Sequence, residues 1–296
     1  MRLILQVSDV VNQLRLSVCP LFVENSGRGS GLSPHQVGTA VLFRDERAYY
    51  VLTAGHVLSG TEGADLMIPV LNDVPSAPQF QRLSGLSIRS EERKKSEMDY
   101  DIAAFSVTSS DAAALDSRGR IFNGPEDIGN ADDEIDQCDS LYVLYGFPQS
   151  ANQSVREGEG LDFAAYYLQF SQRANANLIS RSGKSSSTHF GLLGRKRIQT
   201  IDGKPGPFPP KFNGMSGGGI WKLHVDRKGW VIRCRLVGIF IEQTDDRGHK
   251  LFQATRIEYA LVAQLLLQHE APSLAVLDKL RGTRLFTSIS LPSGQR

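Results

Sequence analysis

Along most of this chain, apolar and polar positions fall in short runs broken by clusters of Gly, Pro, Ser and Asp. That pattern predicts many short β-strands. The runs place strands over 15–23, 37–44, 48–53, 100–107, 141–146 and 163–172, then over 219–224, 230–242 and 251–255. Some alternate cleanly, as in Leu14-Arg15-Leu16-Ser17-Val18. Others, such as 236–241, are nearly continuous apolar runs, which predicts burial on both faces. Helical spacing is clear only near the end, where Ile257, Leu261, Val262, Leu265 and Leu266 share one side of 257–269. Pro272 stops that helix, and Ser273 caps a second one that ends at Gly282. The prediction is an all-β protein with a C-terminal helix.

Two polar intervals organise the rest. Residues 109–139 are rich in Asp and Glu and carry Gly119, Gly124, Pro125 and Gly129, so they read as a connection between two halves. The expected units are 1–108, the connection 109–139, a second half over 140–256, and helices with a tail over 257–296. Residues 174–188, rich in Ser and Asn, read as a surface loop, and the charge run 91–97 as a solvated loop. No internal repeat is present.

Composition narrows the function classes. With 296 residues, 41% of them hydrophobic and 22% charged, the chain can bury a core without disulfide staples. A net charge of +1 supplies no global field for nucleic acid, an anionic membrane or acidic substrates, so neither nucleic acid nor membrane is expected as a partner. No segment reaches the roughly 18 uninterrupted apolar residues of a membrane span. Cys19, Cys138 and Cys234 are odd in number and scattered, which fits neither a disulfide framework nor a metal site. The apolar run at Met1 is broken by Gln6, Ser8 and Asp9 before it reaches signal-peptide length. A reducing, cytoplasmic setting is expected, with no metal and no organic cofactor.

Candidate chemistry sits at three places. Asn213-Gly214-Met215-Ser216-Gly217-Gly218-Gly219 offers a serine flanked by residues without Cβ atoms, so the backbone can turn sharply and aim N–H groups at a substrate oxygen. Its Gly-x-Ser-x-Gly spacing also matches the nucleophile elbow of α/β-hydrolases. An elbow needs a helix directly after the serine, and here three glycines lead into the strand-like Ile220-Trp221-Lys222-Leu223, which excludes it. Val51-Leu52-Thr53-Ala54-Gly55-His56 delivers a histidine just past the end of an apolar strand. Asp101 opens the apolar run Ile102-Ala103-Ala104-Phe105, where a carboxylate can fix a histidine's tautomer. His35, His189, His224, His249 and His269 sit in no such setting.

The three come in the order His, Asp, Ser, and Thr53-Ala54-Gly55-His56, Asp101-Ile102-Ala103 and Gly214-Met215-Ser216-Gly217-Gly218 resemble the signature motifs of trypsin-like serine peptidases. The resemblance runs from about Val37 to the terminal helix, and Tyr145-Gly146-Phe147-Pro148 is similar to a segment of bacterial, intracellular members. It implies a serine endopeptidase built of two six-stranded antiparallel β-barrels of the chymotrypsin-like type, with the active site between them. His56 and Asp101 would come from the first barrel and Ser216 from the second. The N–H groups of Gly214 and Ser216 would form the oxyanion hole, and 239–243, with Ile241, Glu242 and Gln243, the edge that pairs with an extended protein or peptide substrate.

The sequence also departs from that family. Digestive members carry an Asp before the nucleophile that pairs with a new N-terminus after zymogen cleavage; Met215 stands there and cannot. Val57 follows His56 where a cysteine is usual. The floor of the first specificity pocket falls near Pro210 and Lys211, beside Asn213, with Glu242 at its wall, so no preference for basic residues is implied. Without a zymogen ion pair, gating by an activating protein partner that orders 174–188 or the serine loop is expected. Analogy with bacterial proteins of this kind adds a stress or antiviral defence setting. The alternative is a catalytically latent protease-fold binding or scaffold protein.

Overall fold

The computed structural model describes residues 5–24, 34–45, 48–59, 61, 64–69, 80–85, 87–89, 101–149, 165–194, 198–199, 205–206, 212–246, 249–257 and 288–290. The first half forms strands β1 (Val18–Glu24), β2 (His35–Arg44), β3 (Tyr49–Thr53), β4 (Asp65–Pro69), β5 (Phe80–Arg82), β6 (Ser87–Arg89) and β7 (Ala103–Val107). They lie antiparallel in the order β6-β7-β3-β2-β1-β4-β5, and Ser288–Ser290 adds an outer segment on β6. β5 pairs with β4, with Arg82 opposite Met67, whereas β6 pairs with β7, with Ile88 opposite Ala104. Close in sequence, the two stand at opposite ends of this order, so the sheet curls round on itself; counted as one edge they leave a curled six-stranded sheet. Between them Gly85 rests on the backbone of β7, where a Cβ would come within 1.8 Å of the Ser106 carbonyl oxygen.

The second half repeats the plan with β8 (Asp139–Gly146), β9 (Tyr166–Phe170), β10 (His189–Gly194), β11 (Gly219–Val225), β12 (Trp230–Asp246) and β13 (His249–Arg256). Their order is β9-β8-β11-β12-β13-β10, and a bridge between Arg173 and Leu192 curls the two ends toward each other. Two curled six-stranded antiparallel sheets are the all-β architecture expected of the chymotrypsin-like class. Each sheet has its own apolar interior, around Leu21, Leu42 and Val51 in the first and Leu168, Phe240 and Phe252 in the second. A further cluster, with Val41 and Leu52 facing Val143, Trp221 and Leu236, joins the two sheets. Burial of this shared interface fixes how the two sheets meet, and so where loops from both converge.

Helix is more frequent than the sequence pattern suggests. Helix α1 spans Val7–Ser17 and lays Val10, Val11 and Leu14 into the shared cluster, so the strand expected from 15 begins at Val18. The alternation at 14–18 is the tail of a helical face running into a strand. A short turn, α2 (Gly55–Leu58), follows β3. In the acidic connection, α3 (Ser109–Asp116) is capped by Thr108, whose hydroxyl accepts from the Asp111 N–H, and it buries Ala112 and Leu115. The stretch read as a loop over 174–188 contains α4 (Ala176–Arg181), capped by Asn175 and anchored by buried Ile179. The helices expected over 257–282 lie outside the described residues beyond Ile257, as does the charge run 91–97.

Candidate active site

β3 ends at Thr53, and the helical turn α2 that follows sets the His56 side chain at the surface, 41% exposed. Pairing of Thr53 with Ala103 brings the start of β7 alongside, so that Asp101 arrives beneath the imidazole. Asp101 accepts two hydrogen bonds from one residue: His56 N–H at 2.8 Å on Oδ1, and His56 Nδ1 at 2.6 Å on Oδ2. This grip fixes both the backbone and the ring, and it leaves Nε2 as the outward-facing nitrogen. Asp101 has φ of 33°, in the left-handed region that a short polar side chain tolerates and a branched one resists. Burial pushes its carboxyl upward, but the His56 hydrogen bonds and charge, with Lys184 adding to them, hold it below the ordinary carboxylate value.

Ser216 sits in a tight loop leading into β11. The Met215 N–H donates to Phe212 O at 3.0 Å, closing a turn whose third residue, Gly214, has φ of 89°. That geometry is a type II turn and calls for glycine there. Gly217, also at φ 89°, faces the Thr39 carbonyl oxygen and the Thr53 hydroxyl, at 1.9 and 2.1 Å from where a Cβ would stand. The Ser216 hydroxyl donates to Ile241 O at 2.9 Å. Ile241 is skipped in the pairing of β12 with β13, between Phe240 and Glu242, so its carbonyl is released from the ladder. Its side chain instead joins the first sheet's interior.

The direction of two peptide units follows from their carbonyls. Asn213 O accepts from Gln149 N–H at 2.6 Å, and Met215 O accepts from Gly218 N–H at 2.9 Å. Because a trans peptide sets its C=O and N–H on opposite sides, the Gly214 and Ser216 N–H groups are turned away from those contacts.

His56, Asp101 and Ser216 line one cleft of about 500 Å³, together with Asn213, Ile241, Glu242 and Gln243. Pro210 and Lys211 lie outside the described residues. Phe212 and Phe240 also line the cleft and pack on Phe252 behind it, edge-on and tilted, with ring centroids 5.2 and 6.1 Å away, so the wall beside the serine is aromatic. Lys184, which follows α4, reaches into the same cleft with its Nζ 3.8 Å from the Glu242 carboxylate. Nothing in the Ser- and Asn-rich sequence around Lys184 singled it out. Thr39 and Gln36, which bond the serine loop from β2, likewise lack a sequence signal beyond the strand they sit on. Among the described residues, no group of three or more His, Cys, Asp or Glu side chains is placed to hold a metal ion, and no helix is long and apolar enough to cross a membrane.

No protein-family model matches the sequence, and no curated protein is significantly similar to it. Solved structures are similar in fold. One described as GrC is 15% identical over 87% of this chain and 96% of its own, with a TM-score of 0.50. Two structures of the HtrA-type protease AlgW, one with a tripeptide and one with a decapeptide, are 17% and 15% identical, each with a TM-score of 0.46. They align with 89% and 90% of this chain, which covers 64% and 68% of theirs. At 15% identity the likeness to GrC is one of fold alone.

Proposed function

We propose that the chain is a serine endopeptidase in which Ser216 attacks the scissile carbonyl, His56 takes the serine proton, and Asp101 orients the imidazole. The observation that carries this reading is the two-point hold of Asp101 on His56, in the same cleft as a serine on a glycine turn. A carboxylate on Nδ1 keeps a proton there and leaves Nε2 as the base, and it stabilises the imidazolium formed when Ser216 is deprotonated. Attack forms an acyl bond to Ser216 Oγ; His56 then gives its proton to the leaving amine, and water hydrolyses the ester. The Gly214 and Ser216 N–H groups face the developing oxyanion, each worth about 3 kcal/mol in the transition state. The exposed edge of β12 at Glu242 and Gln243 takes an extended peptide by strand addition. The aromatic wall of Phe212 and Phe240 favours an apolar side chain next to the scissile bond.

Labelling by a fluorescent fluorophosphonate tests the assignment. The wild type should label, and Ser216→Ala and His56→Ala should not, with the fold of each retained by circular dichroism. Peptide hydrolysis by Ser216→Ala at the wild-type rate would sink it.

The hydrogen bond from Ser216 to Ile241 favours a second reading, a latent protease-fold scaffold or an enzyme gated by an activating protein partner. That reading expects no labelling and no turnover by the purified chain alone. Full-speed turnover without a partner removes it.

A further inference from the structure

The proposed reaction needs the Gly214–Ser216 backbone held in one conformation, yet glycine at 214 can rotate freely and Met215 offers no charge to anchor it. Met215 is completely buried and packs on Gly146, so it fills space without holding a polar group. Beside the bonds from its own half, Gln149 N–H to Asn213 O and Met215 N–H to Phe212 O, the loop takes polar anchors from the other barrel. Thr39, fully buried on β2, donates its hydroxyl to Gly214 O at 2.6 Å and accepts from Phe147 N–H at 3.0 Å. Its own N–H donates to Ser216 O at 2.8 Å, and its carbonyl accepts the Thr53 hydroxyl at 2.7 Å. One residue therefore holds the carbonyls on both sides of Met215. Gln36, also buried, supports it: its Nε2 donates to Phe147 O at 2.6 Å and stands 3.3 Å from Gly214 O.

We infer that Thr39 is a positioning residue for the anion site: its hydroxyl and N–H clamp residues 214–216 from across the barrel junction, in the place where a zymogen-type ion pair would otherwise act. The inference rests on Ser216 being the nucleophile. It follows from burial and stoichiometry. Without the hydroxyl, Phe147 N–H loses its partner and Gly214 O keeps only the longer bond from Gln36, inside the protein where an unmet polar group is costly. The cheapest relief is rotation of the peptide units about Gly214, which turns its N–H away from the cleft. Thr39 touches no substrate, so its removal should act on the chemical step and not on binding. It also makes the anion site a property of the uncut chain.

The test compares wild type, Thr39→Val, Thr39→Ser and Gln36→Met as full-length chains, reading fluorophosphonate labelling rate, kcat and KM on a peptide ester, and thermal melting. Thr39→Val should label and turn over about 10- to 100-fold more slowly, because a displaced oxyanion donor costs of that order. KM should change by less than about twofold, the pattern of an interaction made in the transition state. Thr39→Ser, which keeps the hydroxyl, should recover most of the rate. A folded Thr39→Val that labels at the wild-type rate overturns the clamp, as does a Thr39→Ser as slow as Thr39→Val. Should Thr39→Val not fold, Gln36→Met serves: about tenfold slower labelling supports the clamp, and an unchanged rate overturns it. A wild type that never labels is a different result, because it removes the nucleophile assignment and the clamp falls with it.

Discussion

The carbonyl of Ile241 holds the Ser216 hydroxyl at 2.9 Å, from a position on β12 that its pairing with β13 skips. A hydroxyl carries one proton, so while it is given to Ile241 it is not given to His56. Handing it over requires a rotation about the serine χ1 and the loss of one ordinary hydrogen bond, about 1 kcal/mol net. That cost is small beside the barrier an enzyme removes, so this resting geometry is compatible with an active serine. Catalytic hydrogen bonds commonly tighten only when substrate is bound.

Asp101→Asn should separate orientation from fold. Asparagine keeps an acceptor for the His56 N–H but presents an NH₂ where Nδ1 now meets a carboxylate oxygen. The ring must then carry its proton on Nε2, the wrong nitrogen for a base. We expect kcat to fall by about 10⁴ while the protein stays folded. A loss under tenfold, measured on the same ester substrate, would show that Asp101 does not set the tautomer.

Two glycines with nearly the same backbone angle should respond differently to alanine. Gly217 and Gly229 have φ of 89° and 84°. A methyl on Gly217 would overlap the Thr39 carbonyl and the Thr53 hydroxyl, while nothing lies within 4 Å of one on Gly229. Gly229→Ala should therefore cost only the left-handed penalty, about 1–2 kcal/mol in urea unfolding. Gly217→Ala should yield no stably folded protein. Equal stability for the two would mean that the Gly217 loop can move aside from β2.

The strand pattern exposes the all-β class because each sheet buries apolar positions in runs that keep to β spacing, and Leu236–Ile241 is buried along its length. The two-barrel plan follows only from the resemblance carried by the His, Asp and Ser motifs. His56, Asp101 and Ser216 stood out because each sits beside residues that only a sharp turn or a strand end requires. What the sequence could not reveal depends on long-range contact. Lys184 reaches the cleft through the placement of α4 against β10, and Thr39 meets Gly214 only because the two barrels pack together. The short helices leave a weak sequence signal for a local reason. The α1 face ends where a strand begins, and α3 and α4 are held by caps at Thr108 and Asn175 more than by long apolar stripes.

Lys222 offers a stability test away from the cleft. Its side chain is completely buried on β11, and its Nζ donates to Ala131 O at 3.1 Å, to Asp133 O and to the Glu134 carboxylate at 2.9 Å. It thereby pins the end of the acidic connection to the second barrel, over the face of Tyr142. Lys222→Met keeps the apolar stem but leaves two carbonyls without this donor, for an expected loss of about 2–3 kcal/mol. Glu134→Gln, at a side chain 66% exposed, should cost under about 1 kcal/mol. Urea midpoints in the reverse order would show that the exposed carboxylate, and not the buried ammonium, holds the connection.

Stability should fall in two steps as the solution is acidified. The upper step belongs to His224. Burial, with the Lys222 charge nearby, outweighs its bond to Asp133 O and keeps it below the ordinary histidine value of 6.5. Its Nε2 lies 3.2 Å from that carbonyl and its buried Nδ1 has no partner, so a second proton would create an unmet buried N–H. The unfolded chain then binds that proton first, and stability is lost as pH drops below about 6.5. The lower step comes from Asp101, Asp132 and Glu134. Burial raises each, but His56 for Asp101, Arg173 and Arg256 for Asp132, and Lys222 and Ser140 for Glu134 bring all three below their ordinary values of 3.8, 3.8 and 4.5. Their contribution is fully present at neutral pH and disappears as pH falls through the depressed folded values. Melting temperature followed from pH 8 to pH 3 should show both steps. His224→Gln should remove the upper one, and Asp132→Asn should flatten the lower one without touching the upper. A His224→Gln profile that superimposes on wild type between pH 7 and pH 5 would refute the neutral, buried histidine.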